Sequence, residues 1–156
     1  MSACTFFGHR DCRELKRETL QKAVEALLAI GVDTFYVGNQ GGFDRMVYGV
    51  LKQLRQKYPG LCICVVLAYP PENSAEDMTD TMYPEIEGHP KFAIERRNRW
   101  MITASQYCIC YITHTWGGAY KFAKLANSQG KTVINLASTH IFGEGCILES
   151  QNVDFC

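Results

Sequence analysis

Several things are missing from this 156-residue chain, and each absence excludes something. No apolar run approaches the ~20 residues that cross a bilayer. The opening residues, Met1-Ser2-Ala3-Cys4-Thr5, have neither the basic start nor the apolar stretch of a secretory leader. Charge of one sign is not in excess, since 16 Lys and Arg balance 16 Asp and Glu. A neutral chain has no global field to draw nucleic acid or an anionic membrane. The expectation is a cytoplasmic protein with no nucleic acid and no membrane as partner, in which any anion site is local. No Cys-x2-Cys turn, Ser-His-Asp set or paired-carboxylate arrangement stands out, so no metal and no cofactor is expected.

Cysteine is the one abundance, with eight residues. Cys62 and Cys64 fall in one apolar run, Cys108 and Cys110 in another. Alternate positions of a strand share a face, so these four are expected to be small buried core residues in a reduced interior. Cys4, Cys12, Cys146 and Cys156 are scattered and suggest no disulfide framework.

With 47% hydrophobic and 21% charged residues, the chain has the composition of one globular domain over 1–156. Short β-prone runs alternate with helical stripes. Ala3–Gly8 reads as a buried strand, and Leu15, Leu20, Val24, Leu27 and Leu28 follow at helical spacing, stopped by Gly31. Thr34–Val37 is a second strand. A helix then starts at about Phe43 and stops near Tyr58-Pro59-Gly60. Leu61–Ala68 is a nearly continuous apolar strand. A helix is expected over 93–104, a strand over 107–113, a helix over 119–127 and a fifth strand over 132–136. This order predicts an α/β protein, Rossmann-like, with an open, mainly parallel five-stranded sheet and helices on both faces. The long loop 69–92, holding four of the five prolines and six acidic residues, and the tail 137–156 are expected to be irregular.

Ligands of such sheets bind beyond the carboxyl ends of the strands. Three loops reach that edge, each combining glycine with polar side chains: Gly8-His9-Arg10, Gly38-Asn39-Gln40-Gly41-Gly42 and Thr113-His114-Thr115-Trp116-Gly117-Gly118. The second is neither the dinucleotide fingerprint nor a P-loop, yet bare backbone at a helix N-terminus suits a phosphate. Asn39, Gln40, Gly41 and Gly42 are therefore candidate ligand residues. So are Gly8, His9 and Arg10, and in the third loop Thr113, Thr115, Gly117 and Gly118, whose hydroxyls and backbone can meet phosphate or ribose. Trp116 either offers a face to a base or packs on the neighbouring helix. In Glu95-Arg96-Arg97-Asn98-Arg99, Arg96 and Arg99 share a helical face and Arg97 points elsewhere. One inward arginine would complete an anion site.

The three motifs Thr5-Phe6-Phe7-Gly8-His9-Arg10, Gly38 through Asp44, and Glu95 through Met101 resemble the SLOG superfamily in order and spacing, and the likeness runs from about Thr5 to Leu136. Within it the chain is most similar to small stand-alone YpsA-like proteins. The resemblance implies a Rossmann-like domain that binds a nucleotide or nucleotide-derived molecule, including ADP-ribose-type signals, as a sensor or sequestering protein. It leaves open a homo-oligomer, since relatives often build sites near subunit contacts. Some relatives are LOG-type phosphoribohydrolases, with an Arg-Lys-x-x-Met segment matched here by Arg97 and Met101. Their Pro-Gly-Gly-x-Gly-Thr-x-x-Glu segment is reduced to Gly117-Gly118, and no carboxylate follows where the catalytic glutamate belongs. N-glycosidic cleavage needs such a group to stabilise its cationic transition state. Whether the chain is an enzyme is left open, with Glu95 or an acidic side chain of the loop 69–92 as stand-in carboxylate and His9 as proton donor in an N-glycoside hydrolase or transferase. A ligand-free interaction module is the third alternative.

Overall fold

The computed structural model describes residues 2–71 and 80–137. Its strands are β1 (Ser2–Gly8), β2 (Val32–Val37), β3 (Cys62–Val66), β4 (Thr81–Met82), β5 (Tyr107–Tyr111) and β6 (Thr132–Asn135). The helices are α1 (Arg17–Ala29), α2 (Gly41–Lys57), α3 (Ala93–Thr103) and α4 (Gly118–Ser128). The strands lie in the order β4-β3-β2-β1-β5-β6, every neighbouring pair parallel. The Rossmann-like architecture expected from the alternating pattern is present.

The sequence explains which strands sit in the middle. Ala3 through Phe7 and Cys108 through Tyr111 are buried on both faces, which only a strand covered by helices on each side achieves. On one face, Leu20, Val24 and Leu27 of α1 and Val47, Leu51 and Leu54 of α2 belong to the same core as Phe6, Phe35 and Ile109. On the other, Met101 and Ile102 of α3 and Phe122, Ala123 and Ala126 of α4 pack with Phe7, Cys108 and Val133. Gly31, with φ at +97°, follows the end of α1 in the left-handed conformation that its position suggests.

Three expectations need correction. The sheet has six strands rather than five, because β4 lies within the loop 69–92. Two residues are too few to show a hydrophobic period, so no pattern announces this strand. It is held instead by Val65 N–H on the Asp80 carbonyl at 2.7 Å and Leu67 N–H on that of Met82 at 2.8 Å. The Asp80 carboxylate accepts from the Tyr48 hydroxyl and from Arg55, both at 2.8 Å. The same loop ends in a 3₁₀ turn over Pro90–Phe92. Its acidic residues Glu72, Glu76 and Asp77 lie outside the described residues, as do Cys146, Cys156 and the tail from 138 onward.

Second, α2 begins at Gly41, two residues before the expected start. Third, of the four paired cysteines only Cys108 and Cys110 are buried; Cys64 is half-buried and Cys62 exposed. Only the short β4 lies beyond β3, and it pairs with Val65 and Val66, leaving the Cys62 end uncovered. Among the described residues no helix is long and apolar enough to cross a membrane.

Candidate functional site

After β4 the chain returns to the other side of β1 to lay down β5, so strand order reverses between β1 and β5. The loops leaving those two strands diverge there and open a crevice at the carboxyl edge. A cleft of about 710 Å³ occupies this place, and its walls come from all three glycine-containing loops together with α3.

The β1 loop contributes Gly8, His9 and Arg10. His9 is only 8% exposed. Its imidazole stacks face to face on His114 with ring centroids 3.6 Å apart, and His114 stacks in turn on Trp116 at 3.7 Å. Three rings from the two loops at the reversal point thus form one column. Its outermost member, Trp116, is 69% exposed and stacks on His114. His9 Nε2 and His114 Nδ1 are buried with no hydrogen-bond partner among the described residues. Burial, and next the neighbouring His114, push the His9 pKa below its ordinary value. Gly8 has a packing role besides: a β-carbon there would fall 2.3 Å from the Phe43 ring.

The Gly38 turn departs from the bare phosphate cradle expected of it. Gln40 precedes α2, and its backbone N–H donates to Asp44 Oδ2 at 2.9 Å. A carboxylate from the first turn of the helix therefore takes a donor that would otherwise face a ligand, as the acid of a capping box does. Burial raises the Asp44 pKa, opposed by the Gln40 N–H and then by Arg97. Gln40 and Asp44 line the cleft. Gly41 and Gly42 instead lie under Arg10: a β-carbon on Gly41, whose φ is +89°, would stand 3.2 Å from Arg10 Cγ, and one on Gly42 3.3 Å from the Arg10 carbonyl oxygen.

From α3 comes Arg97, 3% exposed, the inward arginine of its cluster. Nε donates to Asn98 Oδ1 at 2.7 Å, and Nη1 donates to the Val66 carbonyl at 2.9 Å and to Asn39 Oδ1 at 3.2 Å. Asn39 thus holds the arginine rather than lining the cleft. Nη2 has no partner among the described residues. Burial lowers the Arg97 pKa, with Asp44 and Tyr69 opposing. Its neighbours are engaged elsewhere. Arg96 donates to the His89 carbonyl at 2.8 Å, and Arg99 reaches Glu95 at 3.7 Å. Glu95 is also paired with Lys121, which holds its carboxyl below the usual range, and it does not line the cleft.

The fourth wall is the start of α4. Gly117 precedes it with φ at +93°, no side chain caps its N–H groups, and its first turn holds no acid. Thr113, Trp116, Gly117 and Gly118 face the cleft, whereas Thr115 does not. Residues not named from the sequence as ligand contacts also line the cleft: Asp11, Asp44, Asn98 and His114 among polar groups, and Ile94, Met101 and Phe122 as an apolar floor. Asp44 carried one signal, an acid in the first turn after a glycine-rich loop, but that also describes an ordinary complement to the helix dipole.

Fold and cleft together define a doubly wound, Rossmann-like protein whose polar crevice sits at the switch point of its sheet. The same fold occurs in the X-ray structure of DNA processing protein A (DprA) from Streptococcus pneumoniae, which superposes with a TM-score of 0.64 at 15% identity. The match covers 99% of this chain and 56% of that one, so the present chain spans little more than half of its neighbour's length. At that identity the likeness establishes the fold. No protein-family model and no curated protein sequence matches the chain. The exclusion of nucleic acid drawn from net charge is overturned here, since a protein of this fold is a DNA processing protein. A balance of zero rules out long-range attraction only. Short-range contacts with a phosphate need no such field.

Proposed function

We propose that the cleft binds a nucleotide or nucleotide-derived molecule, an ADP-ribose-type signal included, and that the chain is a single SLOG-type domain of the YpsA-like kind acting as a cytoplasmic sensor or sequestering protein. Arg97 carries this reading. Its guanidinium is fixed through Nε and Nη1 by three hydrogen bonds in a side chain that lines the cleft, which leaves Nη2 as a preset, charged donor for an oxygen of the ligand. The uncapped N–H groups of α4 at Gly117 and Gly118 supply a second place for phosphate oxygens, backed by Thr113. The ring column ending in Trp116 supplies a surface on which a base stacks. Gly8, His9, Arg10 and Gln40 line the same space, Asn39 orients Arg97, and Gly41 with Gly42 seats Arg10. Thr115 falls outside this set. A homo-oligomer is compatible with it.

A second reading follows from the likeness to a DNA processing protein: the nucleotide unit belongs to a nucleic-acid strand. Glu95, one stand-in carboxylate of the hydrolase reading, is paired with Lys121 and Arg99 away from the cleft, whereas Asp11 and Asp44 line it. Calorimetry against AMP, ADP-ribose, cyclic ADP-ribose isomers and a short single-stranded oligonucleotide, with chromatography of the recovered ligands, tests all three. Intact recovery and loss of binding by about ten- to a hundredfold in Arg97→Ala are expected, the scale of a charged hydrogen bond. Free base accumulating with time would replace the binding reading with the enzymatic one. Undiminished binding in Arg97→Ala would remove its foundation.

A further inference from the structure

The Gly38 turn joins two opposite charges without letting them meet. Asp44 Oδ2 lies 2.8 Å, and Arg97 Nη1 3.2 Å, from the point where a Gly38 β-carbon would stand. Both side chains line the cleft, yet no hydrogen bond or ion pair joins them. Each is fixed from behind, Asp44 by the Gln40 N–H and Arg97 by Val66 and Asn39. Arg97 is almost wholly buried with one nitrogen unpartnered, so the gap is a built feature rather than a slack surface pair.

Both hydrogens of Nη1 are taken by Val66 and Asn39, so the donor left for a ligand is Nη2, and what bridges it to the Asp44 carboxylate is a group that donates to one and accepts from the other. A phosphate satisfies Arg97 but meets the Asp44 carboxylate as a like charge at close range. Two adjacent hydroxyls satisfy both, one donating to the carboxylate while the other accepts from the guanidinium. In a nucleotide, the neighbouring hydroxyls are the 2′,3′-diol of ribose. The phosphate is then left to the α4 side of the cleft, where the first helical turn contains no acid.

We infer that Asp44, together with Arg97, reads the ribose diol, which makes the ligand class ribonucleotides with both hydroxyls free. The assignment rests on the nucleotide reading above and sharpens it. It also reverses the role of the glycine-rich turn, from phosphate cradle to sugar site.

Calorimetry of the whole chain with AMP, 2′-deoxy-AMP and 3′-deoxy-AMP decides it. Each missing hydroxyl is expected to weaken binding about ten- to a hundredfold, the scale of one hydrogen bond to a charged group. Asp44→Asn, checked for folding by circular dichroism, is expected to bring one deoxy form, the one lacking the hydroxyl that faces the carboxylate, within a few-fold of AMP, while the other stays discriminated through Arg97. If the wild-type chain binds all three alike and Arg97→Ala loses all of them, the diol assignment is wrong and the nucleotide reading stands. Discrimination that persists undiminished against both deoxy forms in Asp44→Asn removes Asp44 as its source. If none of the three binds, the nucleotide reading fails and takes this inference with it. Should Asp44→Asn not fold, the wild-type series still decides whether the diol is read.

Discussion

Gly8 shows how a single residue serves packing and site at once. Any side chain there would run into the Phe43 ring, with the nearest ring carbon at 2.3 Å. Gly8→Ala is expected to destabilise by about 1–3 kcal/mol, the range for overpacking a filled core, read as a lower urea midpoint at unchanged slope. His9 sets a second expectation. Its folded pKa is below the ordinary ~6.5, so the unfolded chain binds a proton that the folded chain resists. Folded stability is then undiminished above about pH 6.5 and falls as pH drops below it. Thermal melts at pH 5 and pH 7.5 should show this fall, and His9→Gln should flatten it. These roles were only half legible. A glycine beside a strand reads equally as room for a ligand or for a helix, and only Phe43 in place decides between them. Arg97 was legible through its place four residues before Met101, the spacing of the LOG-type segment, since the face shared by Arg96 and Arg99 says only that Arg97 points elsewhere, not that it points inward. Asp44 was not, because the same letter at the same place serves a helix dipole or a ligand.

At the level of elements, long periodic segments announced themselves and short ones did not. The four helices and five of the six strands stand where apolar spacing puts them, to within a few residues. β4 escaped because backbone pairing and the Asp80 carboxylate define it, and neither leaves a pattern in two residues. Asp80 thus ties a loop to α2 through Tyr48 and Arg55. Its hydrogen bond from Arg55 comes first among the causes that lower its pKa. The stabilisation it gives is present above the unfolded aspartate value of about 3.9 and lost as pH falls through the folded value. Because Arg55 is 38% exposed, solvent screens the pair. Asp80→Asn should cost only about 1 kcal/mol. Its local signature is sharper: the amides of Val65 and Leu67, which donate to Asp80 and Met82, should exchange faster while those of β1 stay unchanged at low denaturant.

For the molecule as a whole, zero net charge was misleading about partners and informative about range. A ligand held by one or two local phosphate contacts releases few counterions. The slope of log affinity against log salt should therefore stay near −1 to −2, for a mononucleotide or for a strand end. A steeper slope would mean that basic residues beyond the cleft take part. The doubly wound sheet was legible from the alternation of strand and helix, but the return of β5 to the far side of β1 was not, since no local signal records which edge the chain will choose. That return has a consequence for how the protein is made. His9, Arg10, Gly38 and Asp44 belong to the first half of the chain, and Arg97, His114 and Trp116 to the second. The ring column closes only when β5 has docked beside β1. A partly folded or unfinished chain therefore carries half a cleft. A ligand bound across both halves would then report that folding is complete, and its binding energy would stabilise the whole sheet against a single cooperative opening rather than any one loop.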